Sequence, residues 1–572
     1  VVSTSLTNAA VPDSHIKFLY CQSNQREQTQ KQVFIPRSIP TKVDFAWIRD
    51  ILGYCEAKHR NLCSDSQAVV PGMKLIDCNN LARTTPELDM YIVGSTCPPY
   101  VCLSYVWGEI DNDKPIPQVV QDAMTVTQEL GYRYLWVDKY CIDQDDHSQR
   151  DLHISRMDAV YHAAQLTLIA ATGKDADSGL AGVGNTPRIP QQTLTTGSFR
   201  LISSMHVPLE TIKSCTWNTR AWTYQEGILP RRRLVFTSHE VYFECESMHL
   251  RESWEADLDK LHSHGRLRKF FYGGPFAGRP LRSGKVARSC FENLKRFDHL
   301  AREYSTKRFS RNFGDEDSIR AFQGITSFFK RSKYPVYELW GVPFTCSLKC
   351  PKQAPDSFVA SLLWRHTTSV VSNKDKPERR AAFPSWSWVG WAGEVVFPRR
   401  HTPDNASFVS TVETLSLEPS QCPEEYRSLD LSSPHLVSKL DDVPFSQSRV
   451  LKLTAPRLLP AQLKFKIAQT NDGWDTPNVV FGKSSFKAVI HLSGGNVRRM
   501  TFQYLFMSGK FDFVLLAVET MRTGLPRKPR LGFLILESHG NHFCRVGSMV
   551  VKTGLEAFQQ EFTLESVEFH LS

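Results

Sequence analysis

Three apolar runs separated by two helical periods constrain the fold of this chain most. Residues 100–106, 134–138 and 166–171 are rich in β-branched and aromatic side chains with almost no polar alternation. A strand with one wet face alternates apolar and polar residues, whereas a strand covered on both sides does not. Residues 117–130 between the first two runs read as a helix. Between the second and third, Ser148-Gln149-Arg150-Asp151 resembles a capping box, and Leu152, Ile154, Met157, Val160, Tyr161 and Ala164 follow at helical spacing. The order strand, helix, strand, helix, strand predicts neighbouring parallel strands with helices on both faces. Residues 175–184, rich in Gly and Asp, form a loop at the carboxyl end of the third run, where open α/β sheets bind ligands.

At 572 residues the chain is too long for one core. Residues 1–45 are Gln/Ser/Thr-rich without periodicity and read as an irregular N-terminal arm. An α/β domain spans 46–260, and within its tail 265–285 has the Gly/Pro/Arg content of an exposed insertion. A helical tail with a Trp-rich segment spans 261–395, its helical signal strongest at 291–304 and 317–330. A β-rich C-terminal module spans 396–572, with strand-like runs at 450–453, 462–467, 488–492, 511–518 and 532–536.

The net charge of +10 is mild for this length. Arg231, Arg232 and Arg233, like the runs at 376–380 and 526–530, read as solvated loops, because no basic stripe interleaves with aromatics. Nucleic acid is therefore not an expected partner. The 14 cysteines show no paired spacing, Cys346 and Cys350 being the nearest couple, so reduced buried thiols and no metal site are expected. No apolar run reaches the roughly 18 residues that cross a bilayer. No leader-like segment follows Val1-Val2, which reads as a cytoplasmic protein without membrane contact.

Three blocks carry the chemistry: Tyr100-Val101-Cys102-Leu103-Ser104-Tyr105-Val106-Trp107-Gly108, Tyr134-Leu135-Trp136-Val137-Asp138-Lys139-Tyr140-Cys141-Ile142-Asp143-Gln144, and Trp217-Asn218-Thr219-Arg220-Ala221-Trp222-Thr223-Tyr224-Gln225-Glu226. In this order they resemble the fungal heterokaryon-incompatibility (HET) domain. Phe383-Pro384-Ser385-Trp386-Ser387-Trp388-Val389-Gly390-Trp391 looks like a segment that often follows it. The resemblance implies non-self recognition and programmed cell death.

HET domains are thought to be distant relatives of TIR domains, which implies a TIR/flavodoxin-like sheet. The TIR catalytic glutamate lies four residues after an aromatic, as Glu226 lies after Trp222. Residues 103–108 match the end of the TIR first strand, with Trp107 standing where TIR domains carry a basic residue. The resemblance thus implies cleavage of NAD as a substrate, with no bound cofactor. An anion at Glu226 stabilises the ribosyl cation left when nicotinamide departs. Tyr105, Trp107 and Trp222 stack on the nicotinamide ring, and Ser104, Gly108 and Asp138 complete the binding set.

Other readings stand beside these. Glu226 is alternatively the partner of Arg220 or of the 231–233 run. Asp138 either binds a ribose hydroxyl or caps the next turn. Cys141 reads as a small buried hydrophobe, and His147 and His153 as solvent-facing. Ser104 lacks a nucleophile elbow, and no phosphate-binding Gly-x-x-x-x-Gly-Lys motif occurs. The Trp-rich block reads as a plug docking the C-terminal module on the α/β domain, or else as a carbohydrate or peptide groove. If the domain is not an enzyme, it is a module that self-associates or binds an incompatibility partner protein.

Overall fold

The computed structural model describes residues 19–23, 34–63, 70, 72–80, 88–108, 116–196, 199–203, 205, 207–263, 274–276, 287, 289–308, 315–345, 353–367, 378–398, 406–418, 429–430, 449–458, 466–467, 478–493, 510–521 and 529–572. The chain forms two compact units, one of residues 1–286 with Ala321–Ile325 and one of Ala287–Arg320 with Thr326–Ser572.

In the first unit the chain runs β1 (Leu19–Ser23), β2 (Phe34–Pro36), α1 (Phe45–Lys58), α2 (Arg60–Cys63), β3 (Lys74–Asp77), β4 (Met90–Ile92), β5 (Tyr100–Ser104), α3 (Gln118–Glu129) and β6 (Tyr134–Val137). It continues through α4 (Asp138–Cys141), α5 (His147–Ser155), α6 (Met157–Ala163), β7 (Leu166–Ala170), β8 (Thr193–Thr196), β9 (Phe199–Ser203), α7 (Pro208–Ser214), α8 (Thr216–Thr219) and α9 (Trp222–Ile228). The last elements are β10 (Arg232–Phe236), β11 (Val241–Cys245), β12 (His249–Arg251), β13 (Trp254–Ala256) and α10 (Leu258–Ser263).

Eight strands make the main sheet, in the order β12-β11-β10-β7-β5-β6-β3-β4. The three apolar runs are adjacent and parallel at its centre, with Cys102 opposite both Trp136 and Thr167. Every residue of β5 and β7 is buried, as their unbroken apolar character requires. β10 adds a fourth parallel strand beside β7. The sheet is mixed rather than parallel throughout, because β3, β4, β11 and β12 pair antiparallel at its two edges. Short connections such as the one from β10 to β11 can only reverse the chain, since a parallel return needs a crossover of a dozen residues.

Local departures have local causes. The predicted single helix over 148–164 is two, α5 and α6, broken at Arg156. The break resets the buried face, so Leu152 is exposed while Met157, Val160 and Tyr161 are buried. His153 is half-buried rather than solvent-facing, and the His147 side chain lies outside the described residues. The arm is not wholly irregular: β1 pairs with β9 and β2 with β13, far along the sequence. Most of 265–285 lies outside the described residues, but Phe276 within it is buried against Trp217 rather than exposed.

Arg231, Arg232 and Arg233 are buried in and beside β10, not solvated. Backbone oxygens are among their partners: Arg231 donates to Ala163 O, Arg232 to Gln165 O, and Arg233 to Gly227 O and Ile228 O. A guanidinium carries five donors in a fixed fork, so it can bind several acceptors at once.

The second unit holds the helices Cys290–Tyr304 and Gln353–Leu362 and a β-rich part of eleven paired strands. Val450–Leu458, Phe486–Leu492, Phe511–Met521 and Leu531–His539 are strands there. Of the run 462–467 only Lys466–Ile467 is described, also as strand. Phe481, Phe486, Phe533, Phe558 and Phe562 centre its core. Trp386 and Trp388 are buried, and the block is stitched within this unit. The Trp386 indole donates to Arg449 O, the Trp388 indole to Gly341 O, and Ser385 N to Ser572 O. Both indoles thus have satisfied N–H groups, and burial leaves no open groove at Trp386 or Trp388. No helix among the described residues is long and apolar enough to cross a membrane.

Candidate active site

At the carboxyl end of the central strand β5, Ser104 joins two elements. Its hydroxyl accepts the Trp217 indole N–H at 2.7 Å and donates to Glu226 Oε2 at 2.5 Å. The segment carrying both partners kinks at Arg220, whose backbone is extended between α8 and α9. Thr223 holds the kink by donating to Trp217 O and Arg220 O. Arg233 closes the other end of α9 through Gly227 O and Ile228 O. Of the arginine run, Arg233 therefore caps the helix that bears Glu226. Gln225 is fixed from two sides, its amide donating to Met157 Sδ and its oxygen accepting Gly324 N–H.

Asp138, the first residue after β6, faces the same region from the neighbouring strand. Both its oxygens accept the Trp107 indole N–H, at 3.0 and 3.1 Å, and one accepts Lys139 N at 2.7 Å. Its backbone oxygen also accepts Ile142 N, the intrahelical bond of α4. Gly108 follows with φ +76°, and a Cβ there would stand 2.7 Å from Asp175 Cβ. The loop after β7 thus lies against the end of β5, as its position in the sequence predicts. Gly108→Ala is expected to destabilise the chain by about 1–3 kcal/mol, read as a lower urea midpoint at unchanged slope.

Burial raises the Glu226 carboxyl to about 8, with the charge of Asp138 the next cause; Ser104, Arg220 and Tyr161 pull the other way. Burial raises Asp138 to about 6, against Lys139 N–H, Trp107 and Arg220. Both carboxyls are thus held above their ordinary range, Glu226 the more so. Two carboxyls with separated affinities can divide acid and base roles. Glu226 is only 4% exposed, while Asp138, Trp107 and Trp222 are half-buried. Among the described residues the buried Tyr105 hydroxyl makes no hydrogen bond, leaving a polar group that a ligand or water can satisfy.

The structure thus joins Ser104 to Glu226 and Trp107 to Asp138, and places Tyr105 and Gly108 on the same strand end. Trp222 shares α9 with Glu226. Cys141 is buried, its sulfur accepting Val137 N, as a small hydrophobe would be. Trp217 and Tyr161 also belong to the site; Trp217 stood in the motif, while Tyr161 carried only a core signal. A cavity of about 810 Å³ lies elsewhere, among Pro99, Tyr132, Gln165 and Arg232 with Glu56 and Arg60. Those residues mark the opposite, amino ends of the strands, so the cavity and the carboxyl pair are separate features.

A second cluster brings together groups that could hold a metal ion. Cys55, His59, Cys63 and Cys245 bring their sulfur and nitrogen atoms within 4.8 Å of one another, all buried. The Cys-x-x-x-His-x-x-x-Cys spacing of 55–63 was the available signal; the fourth member is remote in sequence.

Residues 100–226 match the family model described as heterokaryon incompatibility protein (HET). The matched stretch lies in the first unit and runs from the first residue of β5 to Glu226. No curated protein and no solved structure matches the chain.

Proposed function

We propose that this chain acts in non-self recognition and cell-death signalling, and that its HET domain cleaves the nicotinamide–ribose bond of NAD. The observation that supports the reading is the placement of Glu226 and Asp138 together at the carboxyl ends of parallel strands, the usual ligand edge of an α/β sheet. A TIR-like ancestry agrees with the parallel core and with Trp222 four residues before Glu226, although the antiparallel edges go beyond it.

In this reaction the C1′–N bond breaks and its electron pair leaves with nicotinamide, which departs neutral. The cation spread over C1′ and the ring oxygen needs an anion, and ionised Glu226 supplies it in a dry setting. Water then adds at C1′ and gives up a proton, so the products are ADP-ribose, nicotinamide and H⁺. Asp138 orients the ribose hydroxyls, and Trp107, Tyr105 and Trp222 offer faces for the cationic ring. A cation in the site also favours ionisation of Glu226 over its protonated form.

A second reading has its own support. Glu226 is deeply buried and the described cavity lies at the other end of the strands. On that reading the domain signals by self-association or by binding a partner protein, and Glu226 only ties α9 to β5. Concentrated purified protein incubated with NAD separates the two. Nicotinamide release that scales with protein supports the enzyme, and none under conditions where the protein self-associates supports the module.

A further inference from the structure

Helix α1 ends at His59, whose N–H bonds to Cys55 O, and α2 then turns Cys63 back over the same spot through bonds to His59 O. Cys245, the last residue of β11, arrives from about 180 residues further along. Cys55 and Cys63 are fully buried, and Cys245 and His59 nearly so. We propose that Cys55, His59, Cys63 and Cys245 bind one zinc ion in a closed, structural site.

The distances suit a single tetrahedral ion. Metal–sulfur bonds of about 2.3 Å and a metal–nitrogen bond of about 2.0 Å give tetrahedron edges of about 3.5–3.8 Å. Cys245 Sγ lies 3.6 Å from His59 Nδ1, and all four donor atoms fall within 4.8 Å. Such a set is too compact to surround an iron–sulfur cluster. Three thiolates and one imidazole are the soft, four-coordinate donors that zinc takes in structural sites.

The surroundings orient the ligands. His262 Nδ1 lies 2.7 Å from Leu258 O, a pure acceptor, so that nitrogen carries a proton. In the neutral ring the other nitrogen, Nε2, accepts, and His59 Nε2 at 2.8 Å must donate to it. His59 is then left with its lone pair on Nδ1, the atom that faces the sulfurs. Metal-bound histidines are held in this way by a partner on the far nitrogen. Arg232 Nε donates to Cys55 Sγ at 3.3 Å. Zinc with three thiolates carries one net negative charge, and this guanidinium balances it.

All four positions come from the protein, so the ion is structural. It pins α1 and α2 to the end of β11 and, through Arg232, to the start of β10. These are the amino ends of the parallel strands, away from Glu226. Folding and metal loading are then coupled.

Full-length protein expressed with zinc in the medium, and purified without a histidine tag or chelator, is expected to carry one zinc per chain by mass spectrometry. Cobalt(II) in its place should give the visible absorption of a tetrahedral thiolate site. Cys245→Ser should lose the zinc and lower the melting temperature. Because that variant could fail for lack of folding, two others are decisive: His59→Cys should keep one zinc while shifting the cobalt bands, and His262→Ala should weaken zinc binding about 10–100-fold. Protein free of zinc that also gives no tetrahedral cobalt spectrum overturns the proposal, as does full zinc binding in Cys245→Ser.

Discussion

A folded Glu226→Gln protein is expected to release nicotinamide from NAD at about one hundredth of the native rate or less, and to lose toxicity on overexpression. Gln keeps the shape and still accepts the Ser104 hydroxyl, but it cannot ionise. Removing one preorganised charge from a dry site commonly costs on the order of 3 kcal/mol of transition-state stabilisation. In the native protein the carboxyl must be ionised to act, so kcat/KM should climb as pH rises through about 8, the position set by burial and by Asp138. A rise centred near 6 instead would give the role to Asp138. Retained NAD cleavage in Glu226→Gln sinks the proposed role of Glu226. Full toxicity with NAD intact supports the signalling module.

The same substitution has a signature in stability that does not depend on catalysis. Glu226 has a folded affinity for its proton above its ordinary 4.5. Between about pH 4.5 and 8 the native state holds a proton that the unfolded chain has lost, so native stability falls as pH rises through that window. Gln has no proton to lose. The melting temperature of Glu226→Gln relative to native should therefore be higher at pH 8.5 than at pH 5.

The second large effect concerns Arg545 of the second unit, which is 1% exposed. Its guanidinium lies 3.7 Å from the centroid of the Trp364 ring and donates to Leu362 O, Trp364 O and the Ser493 hydroxyl. Among the described residues no carboxylate pairs with it, and burial lowers its pKa to about 9. Two carbonyls, a hydroxyl and an indole face thus stand in for a counter-ion. Arg545→Ala strips donors from buried acceptors and leaves a cavity, for an expected loss of about 3–5 kcal/mol in chemical denaturation followed by tryptophan fluorescence. Arg545→Met, which fills the space without a buried charge, should lose less. Equal loss in both would mean that packing and charge solvation are not the cause.

Elements whose burial is written in their own residues were legible: β5, β6 and β7 from unbroken apolar runs, the Trp-rich block from its aromatic load, and the long C-terminal strands from period and turns. Features that depend on remote partners were not. β1 and β2 are strands only because β9 and β13 pair with them. The 231–233 arginines looked solvated because the carbonyls that receive them lie in α6, α9 and the turn before β7. Cys245 showed nothing of its company with Cys55. At the site, Ser104, Trp107, Asp138 and Glu226 stood in the motifs, but their pairing as Ser104 with Glu226 and Trp107 with Asp138 follows from strand order. The break at Arg156 had no sequence mark, since Arg is a good helix former.

The return of Ala321–Ile325 to the first unit sets a timetable for biosynthesis. Gly324 supplies the N–H that seats Gln225, the residue beside Glu226. A ribosome adding about 5–20 residues per second needs about 5–20 s to travel from Glu226 to that segment. During that interval α9 is made but its neighbourhood is incomplete, so a growing chain passes through synthesis before the carboxyl pair has its full scaffold. The carboxyl pair therefore gains its full scaffold only once the chain has been made as far as Gly324.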